Sequence, residues 1–102
     1  MGLIGTLQDL KHLLYKKNID VNEFMEKLDK MIEKARFLTM MTHDLQTHND
    51  VIELVAFYTA NGDKEVAELV RSLINVYIGL TKGLNEEEYK YFKQLVMFYL
   101  QH

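Results

Sequence analysis

The feature that most constrains the fold is the apolar pattern of residues 21–46, where mostly apolar side chains recur at heptad positions. The two series are Val21, Leu28, Ala35 and Thr42, and, three residues later, Phe24, Met31, Leu38 and Leu45. Asp20 precedes the run and Glu23 follows three residues later, a spacing typical of a helix N-terminus. The pattern therefore predicts one long helix, with residues 39–42 as the place where it is most prone to kink or break. Met25 and Ile32 widen the apolar stripe, which favours a helix packed in a globular bundle.

The other periodic segments also have helical spacing, and none alternates as a strand would. We predict further helices over about 6–17, 50–60 and 64–81, and a fifth helix that begins after Asn85. The third is apolar almost all round, so we expect it to be the most buried. Asn61-Gly62-Asp63 marks a tight turn, which makes residues 50–82 an αα-hairpin. The prediction is an all-α, compact bundle of about five helices in a single domain over residues 1–102.

Composition excludes several classes of function. The 102 residues include no Cys, which rules out disulfides, Cys-ligated zinc and a thiol nucleophile. A net charge of −3 disfavours generic nucleic-acid binding. No apolar run reaches the roughly 18 residues of a membrane span, and the N-terminus lacks the pattern of a signal peptide. We therefore expect a cytoplasmic protein with no membrane span.

Histidines and carboxylates near the end of the long helix were considered as a metal site. His43, Asp44, His48 and Asp50 are the residue types that bind divalent cations. His43 and His48 are five residues apart, however, and straddle a predicted helix end, so their side chains do not converge on one helical face. We predict that these residues form no metal site and that the protein uses no cofactor.

Arg36 and His43 are separated by six residues on the outer side of the predicted long helix. The pair resembles the Arg-x(4–6)-His motif of the HEPN superfamily, whose members are small, all-α and usually dimeric, and many of which are RNases. The resemblance implies a metal-independent RNase in which Arg36 and His43 bind phosphate and perform acid–base chemistry at a dimer cleft. This is the alternative functional hypothesis.

Two further hypotheses depend on charged residues. The Glu65-x-x-Glu68 pair resembles the carboxylates of all-α nucleotide pyrophosphohydrolases, which would hold Mg²⁺. The hairpin over 50–82 could read DNA as a small transcriptional regulator, but its second helix offers only Lys64 and Arg71 as basic residues. A solvated charged surface accounts for these residues more simply.

The fifth helix is rich in aromatic residues on more than one face: Tyr89, Tyr91, Phe92, Phe98 and Tyr99. Tyr91 and Phe98 are seven residues apart and share a face, which differs from the stripe of Phe92, Leu95 and Tyr99 that we assign to the core. The predicted interface comprises Tyr91, Leu95, Phe98 and Leu100, with Leu95 counted in both sets. Since aromatic residues are favoured at interfaces, we predict a non-enzymatic protein that acts through protein–protein interaction. Its partner is a second copy, giving a homodimer, or another helical protein.

Overall fold

A computed structural model describes residues 2–41, 44–81 and 86–101 of the chain. Over these ranges the backbone forms five α-helices and no strand, which confirms the all-α bundle. The helices are α1 (Leu3–Lys16), α2 (Val21–Met41), α3 (Leu45–Thr59), α4 (Lys64–Thr81) and α5 (Glu86–Gln101). The predicted hairpin corresponds to α3 and α4, and its boundaries differ at the start of α3.

The prediction of one helix over residues 21–46 was wrong in its last part. α2 ends at Met41, and Asp44 has an extended backbone that begins a new helix. The Asp44 carboxylate accepts hydrogen bonds from the backbone N–H of Thr47 at 3.1 Å and from its hydroxyl at 2.8 Å. Such an N-cap satisfies backbone donors of the first turn and so stabilises a separate α3. Residues 47–49, which fall between the predicted second and third helices, lie inside α3.

The most central helix is α4, which packs against each of the other four helices. Its inward side chains are fully buried: Val66, Val70, Leu73 and Ile74. The expectation that the third helix is the most buried was wrong, because α3 leaves Leu54, Phe57 and Tyr58 more than half exposed. α3 packs against α2 and α4, so its opposite face meets solvent although that face is also apolar.

The turn between α3 and α4 follows its sequence signals. Gly62 has a left-handed backbone, with φ of 84°, and its N–H donates to the carbonyl oxygen of Phe57 at 3.1 Å. Asp63 caps α4 by accepting a 3.1 Å hydrogen bond from the backbone N–H of Val66. Asp20 caps α2 in the same way, accepting from the N–H of Asn22 at 2.9 Å. The helix start predicted at Asp20 and the tight turn predicted at residues 61–63 are therefore confirmed.

Asp63 also joins the end of α1 to this turn. Lys17 Nζ donates to the two carboxylate oxygens of Asp63 at 2.9 and 2.7 Å and lies 3.2 Å from Glu65 Oε1. The hydrogen bond from Lys17, followed by that from the Val66 amide, lowers the pKa of Asp63 below its ordinary value of 3.8. The ionised form of Asp63 is thus favoured in the folded chain.

Stability should therefore decrease in acid partly through Asp63. Because the pKa of Asp63 is lower in the folded chain than in the unfolded chain, its stabilisation is complete above the unfolded pKa and disappears as the pH falls through the folded pKa. Asp63→Asn keeps a capping side chain but cannot ionise. We expect its melting temperature to be a few degrees below wild type at about pH 7, and we expect this gap to narrow as the pH falls below the ordinary aspartate pKa of about 3.9.

Melting curves followed by circular dichroism across this pH range would measure the effect. Other capping carboxylates such as Asp44 titrate equally in both proteins, so the difference between the two curves isolates Asp63. Lys17→Met should reduce the same difference, since Lys17 is the largest cause of the lowered pKa. A constant gap between wild type and Asp63→Asn at every pH would contradict this prediction.

Candidate functional site

The four predicted interface residues differ in exposure. Tyr91 and Phe98 lie on the outer face of α5, with exposed fractions of 68% and 58%. Leu95 is half-buried. Leu100 is only 2% exposed and belongs to the core of the chain, so its assignment to a surface was wrong. The surface that remains is carried by Tyr91 and Phe98.

The buried face of α5 also differs from the predicted stripe. It is formed by Tyr89, Phe92, Val96 and Leu100. Leu95 and Tyr99, which the sequence pattern assigns to the core, are only partly buried and flank this face. The residues over 95–100 are all apolar, so hydropathy could not indicate which of them point inward.

α5 lies antiparallel against α2, since residue numbers rise along one helix where they fall along the other. Polar contacts between the two helices include Arg36 Nη2 with Glu86 Oε1 at 2.6 Å, the Tyr89 hydroxyl donating to Glu33, and Lys93 Nζ with Asp29 Oδ1 at 2.6 Å. The last is an ion pair by distance whose geometry is not that of a hydrogen bond. α5 also packs against α1. These contacts fix the rotation of α5, and that rotation turns Tyr91 and Phe98 outward.

The outer face of α5 is a row of five exposed residues that we call the α5 stripe: Glu87, Tyr91, Gln94, Phe98 and Gln101. Two large aromatic rings alternate with three polar side chains along it. The uncharged Gln94 lies between the two aromatic rings, and the polar residues Glu87 and Gln101 lie at the two ends. An apolar centre with a polar border is the usual arrangement of a protein interface.

A second group of exposed apolar residues lies where α2 ends and α3 begins: Phe37, Met40, Met41 and Leu45. Leu38 is also exposed, at 40%. The heptad pattern had placed Leu38 and Leu45 in the core. The prediction was wrong for these two leucines: Ala35 is the last residue of α2 that the structure describes as buried, and Leu38 and Leu45 are exposed. This surface borders in sequence on Thr42 and His43, which lie outside the described residues.

Arg36 takes part in a contact between helices. Its guanidinium is paired with Glu86 and lies over the ring of Tyr89, with Cζ 4.5 Å from the ring centroid. The hydrogen bond from Arg36 lowers the pKa of Glu86. His43, the other residue of the RNase hypothesis, lies outside the described residues. That hypothesis therefore stays an untested prediction, while Arg36 has a structural role that the sequence did not indicate.

The remaining candidate ligands are distributed among local contacts. Asp50 accepts a 3.1 Å hydrogen bond from Gln46 Nε2, and His48 is half-buried within α3. Glu65 pairs with Lys17, and Glu68 lies 3.7 Å from Arg71. Within residues 2–41, 44–81 and 86–101, no three His, Asp or Glu side chains are grouped as a metal site requires.

Sequence reasoning missed an open groove of about 520 Å³ between α1 and α4. Its charged and polar lining comprises Asp9, His12, Lys16, Glu65, Glu68, Arg71 and Ser72. Arg71 is held by Glu53 at 2.8 Å, and this hydrogen bond raises the pKa of Arg71. Charges of both signs line the groove, so it offers no concentrated positive field for phosphates. The helical spacing of Asp9, His12 and Lys16 could have indicated this polar face.

Comparison of the chain with protein-family models, curated proteins and solved structures gave no match. Across the part of the chain that the structure describes, no helix has both the length and the apolar composition needed to cross a membrane.

Proposed function

We propose that this protein acts through protein–protein contact as a homodimer. The interface is formed by the α5 stripe together with the edge of α2 that lies beside α5. The observation that carries the proposal is the exposure of Tyr91 and Phe98 on one face of a helix whose other aromatic residues are buried or partly buried. Neither ring is needed to fill the core. Each ring could instead bury its exposed surface against a partner, and aromatic side chains dominate the energetics of interfaces.

The chemistry of the α5 stripe favours a protein partner over a small ligand. The two rings stand on a convex helix face, whereas small molecules bind in concave sites. Interface energy is usually concentrated in a few central aromatic residues that a polar border shields from water. Tyr91 and Phe98 fit the central role, and Glu87 and Gln101 fit the border. A second copy of the chain is the simplest partner, because a two-fold interface needs only one self-complementary surface.

We expect the wild-type protein at about 100 µM to have the mass of a dimer in multi-angle light scattering. The double variant Tyr91→Glu/Phe98→Glu should have the mass of a monomer, because each interface would then bury four uncompensated carboxylates. Both side chains are exposed, so helix content by circular dichroism should not change. The milder pair Tyr91→Ala/Phe98→Ala should weaken the dimer without adding charge, and it serves if the first variant fails to fold.

Two matched double variants are controls. Leu54→Glu/Tyr58→Glu alters two comparably exposed residues of α3, and the dimer should persist. Met40→Glu/Met41→Glu alters the second exposed apolar group, and here too we expect a dimer. A monomeric wild type at this concentration would refute the proposal. A dimer that survives Tyr91→Glu/Phe98→Glu, or that is lost with Met40→Glu/Met41→Glu instead, would place the interface elsewhere.

A further inference from the structure

The α5 stripe has a pattern that is nearly the same in both directions. From Glu87 the spacing is four, three, four and three residues, through Tyr91, Gln94 and Phe98 to Gln101, and all five are exposed. Read either way, the order is polar, aromatic, glutamine, aromatic, polar. Spacings of three and four keep all five residues on one side of a helix. The stripe is therefore symmetric about Gln94 in the type of its side chains.

We propose that α5 pairs antiparallel with α5 of a second copy, about a two-fold axis that passes close to Gln94. This inference rests on the proposed function and specifies the geometry of the dimer. In this register Tyr91 faces Phe98 of the partner subunit, and the two-fold axis produces the same aromatic pair a second time. The Gln94 side chains of the two copies meet at the axis, where each amide can both donate and accept a hydrogen bond.

The distribution of charge favours this orientation over a parallel one. The first turn of α5 carries Glu86, Glu87 and Glu88, whereas residues 89–101 include no carboxylate. A parallel pair would place Glu87 directly beside Glu87 of the partner subunit, and like charges in contact are destabilising. In the antiparallel pair the Glu87 carboxylates are about 21 Å apart along the axis, at 1.5 Å per residue. This exceeds the Debye length of roughly 8 Å at physiological salt.

Antiparallel pairing also gives Glu87 a suitable neighbour. It lies opposite Gln101 of the partner subunit, whose side-chain amide can donate a hydrogen bond to the carboxylate. The polar ends of the stripe thus complement each other, while its aromatic centre is buried. A parallel pair would lose the contact between Glu87 and Gln101 of the partner subunit. It would also pair Tyr91 with Tyr91 of the partner subunit and Phe98 with Phe98 of the partner subunit.

Cross-linking can measure the orientation directly, because the chain has no Cys and single-Cys variants need no background mutations. With a short bismaleimide, Gln94→Cys alone should form covalent dimers, since residue 94 meets itself at the axis. Glu87→Cys mixed with Gln101→Cys should give the 87–101 product, identified by mass spectrometry. Each of these two variants alone should cross-link several-fold less. Tyr15→Cys, an exposed site on α1, measures the background from random collision.

A second test introduces a positive or a negative charge at residue 101 and leaves Glu87 unchanged. Gln101→Lys should tighten the dimer by about twofold to tenfold at low salt, because each lysine then faces Glu87 of the partner subunit. Gln101→Glu should weaken the dimer. Both dissociation constants would be measured by sedimentation at low and high salt, and high salt should remove the difference between them.

The outcomes separate the two proposals. Efficient self-cross-linking of Glu87→Cys and of Gln101→Cys, together with a weaker Gln101→Lys dimer, would show a parallel pair. That result would overturn the antiparallel inference while leaving the homodimer intact. If Gln94→Cys forms no more product than Tyr15→Cys in a protein that is a dimer by light scattering, the α5 stripe is not the interface. A wild type that is monomeric would refute the proposed function itself.

Discussion

Replacing Leu73 with alanine should lower the free energy of unfolding by about 2–5 kcal/mol. Leu73 is 0% exposed and lies on α4, the helix that packs against all the others. Removing its side chain would leave a cavity whose walls come from several helices, and such walls cannot collapse without disturbing the rest of the bundle. A domain of this size has about 5–15 kcal/mol of stability in total. We therefore expect the melting temperature to fall by at least about 10 °C.

Urea and thermal unfolding followed by circular dichroism would measure this loss. Leu54→Ala is the matched control, since Leu54 is 57% exposed on α3 and the chemical change is identical. It should alter stability by no more than about 0.5 kcal/mol. If Leu73→Ala is too unstable to purify, Leu73→Met conserves most of the volume and should cost less than about 1.5 kcal/mol. Equal losses from Leu73→Ala and Leu54→Ala would contradict the central position of α4.

The second large effect is expected at Tyr89, which holds α5 against α2. The ring is 4% exposed, and its hydroxyl donates to Glu33. Tyr89→Ala removes the buried ring and should cost about 3–5 kcal/mol, as for other buried aromatics. Tyr89→Phe keeps the ring and its contact with Arg36 but removes the hydroxyl, so it should cost only about 0.5–1.5 kcal/mol. The difference between the two variants is the contribution of packing.

Tyr15→Ala provides the control, because Tyr15 is exposed on α1 and should tolerate truncation with little change in stability. Chemical denaturation at low micromolar concentration keeps any dimer contribution small. A Tyr89→Phe variant as unstable as Tyr89→Ala would mean that the hydrogen bond to Glu33, and not burial of the ring, holds the helices together. Tyr89→Ala with near wild-type stability would contradict the packing of α5 on α2.

Arg36 illustrates how the structure changes the interpretation of a motif. On the sequence it was one half of an Arg and His pair that resembles a nuclease motif. In the fold it pairs with Glu86, which is fifty residues away in the chain. Such a contact depends on the antiparallel packing of α2 and α5, and the residues near Arg36 in the sequence do not indicate it. The same packing turns Tyr91 and Phe98 outward, as their shared helical face indicates, but it buries Leu100, which the sequence alone could not exclude from the surface.

The sequence alone determined the features that depend on residues within about one helical turn. Asp20 and Asp63 are caps because their carboxylates accept hydrogen bonds from backbone groups two or three residues later. The turn after α3 has a left-handed backbone at Asn61 and Gly62, and a glycine and an asparagine tolerate that conformation for purely local steric reasons. Helical spacing likewise determined the all-α class, since apolar periodicity is a property of each segment.

Only the tertiary structure decided which apolar faces are buried. Leu38 and Leu45 continue the heptad pattern but are exposed, whereas Leu100 is buried near the end of α5. Leu54 of α3 is exposed on an apolar helix, while Leu73 of α4 is enclosed. Burial depends on where neighbouring helices lie and end, and that is set by contacts between residues far apart in the chain. Hydropathy measures the free energy that a side chain would release on leaving water, and the packing of the helices decides which side chains are covered by others.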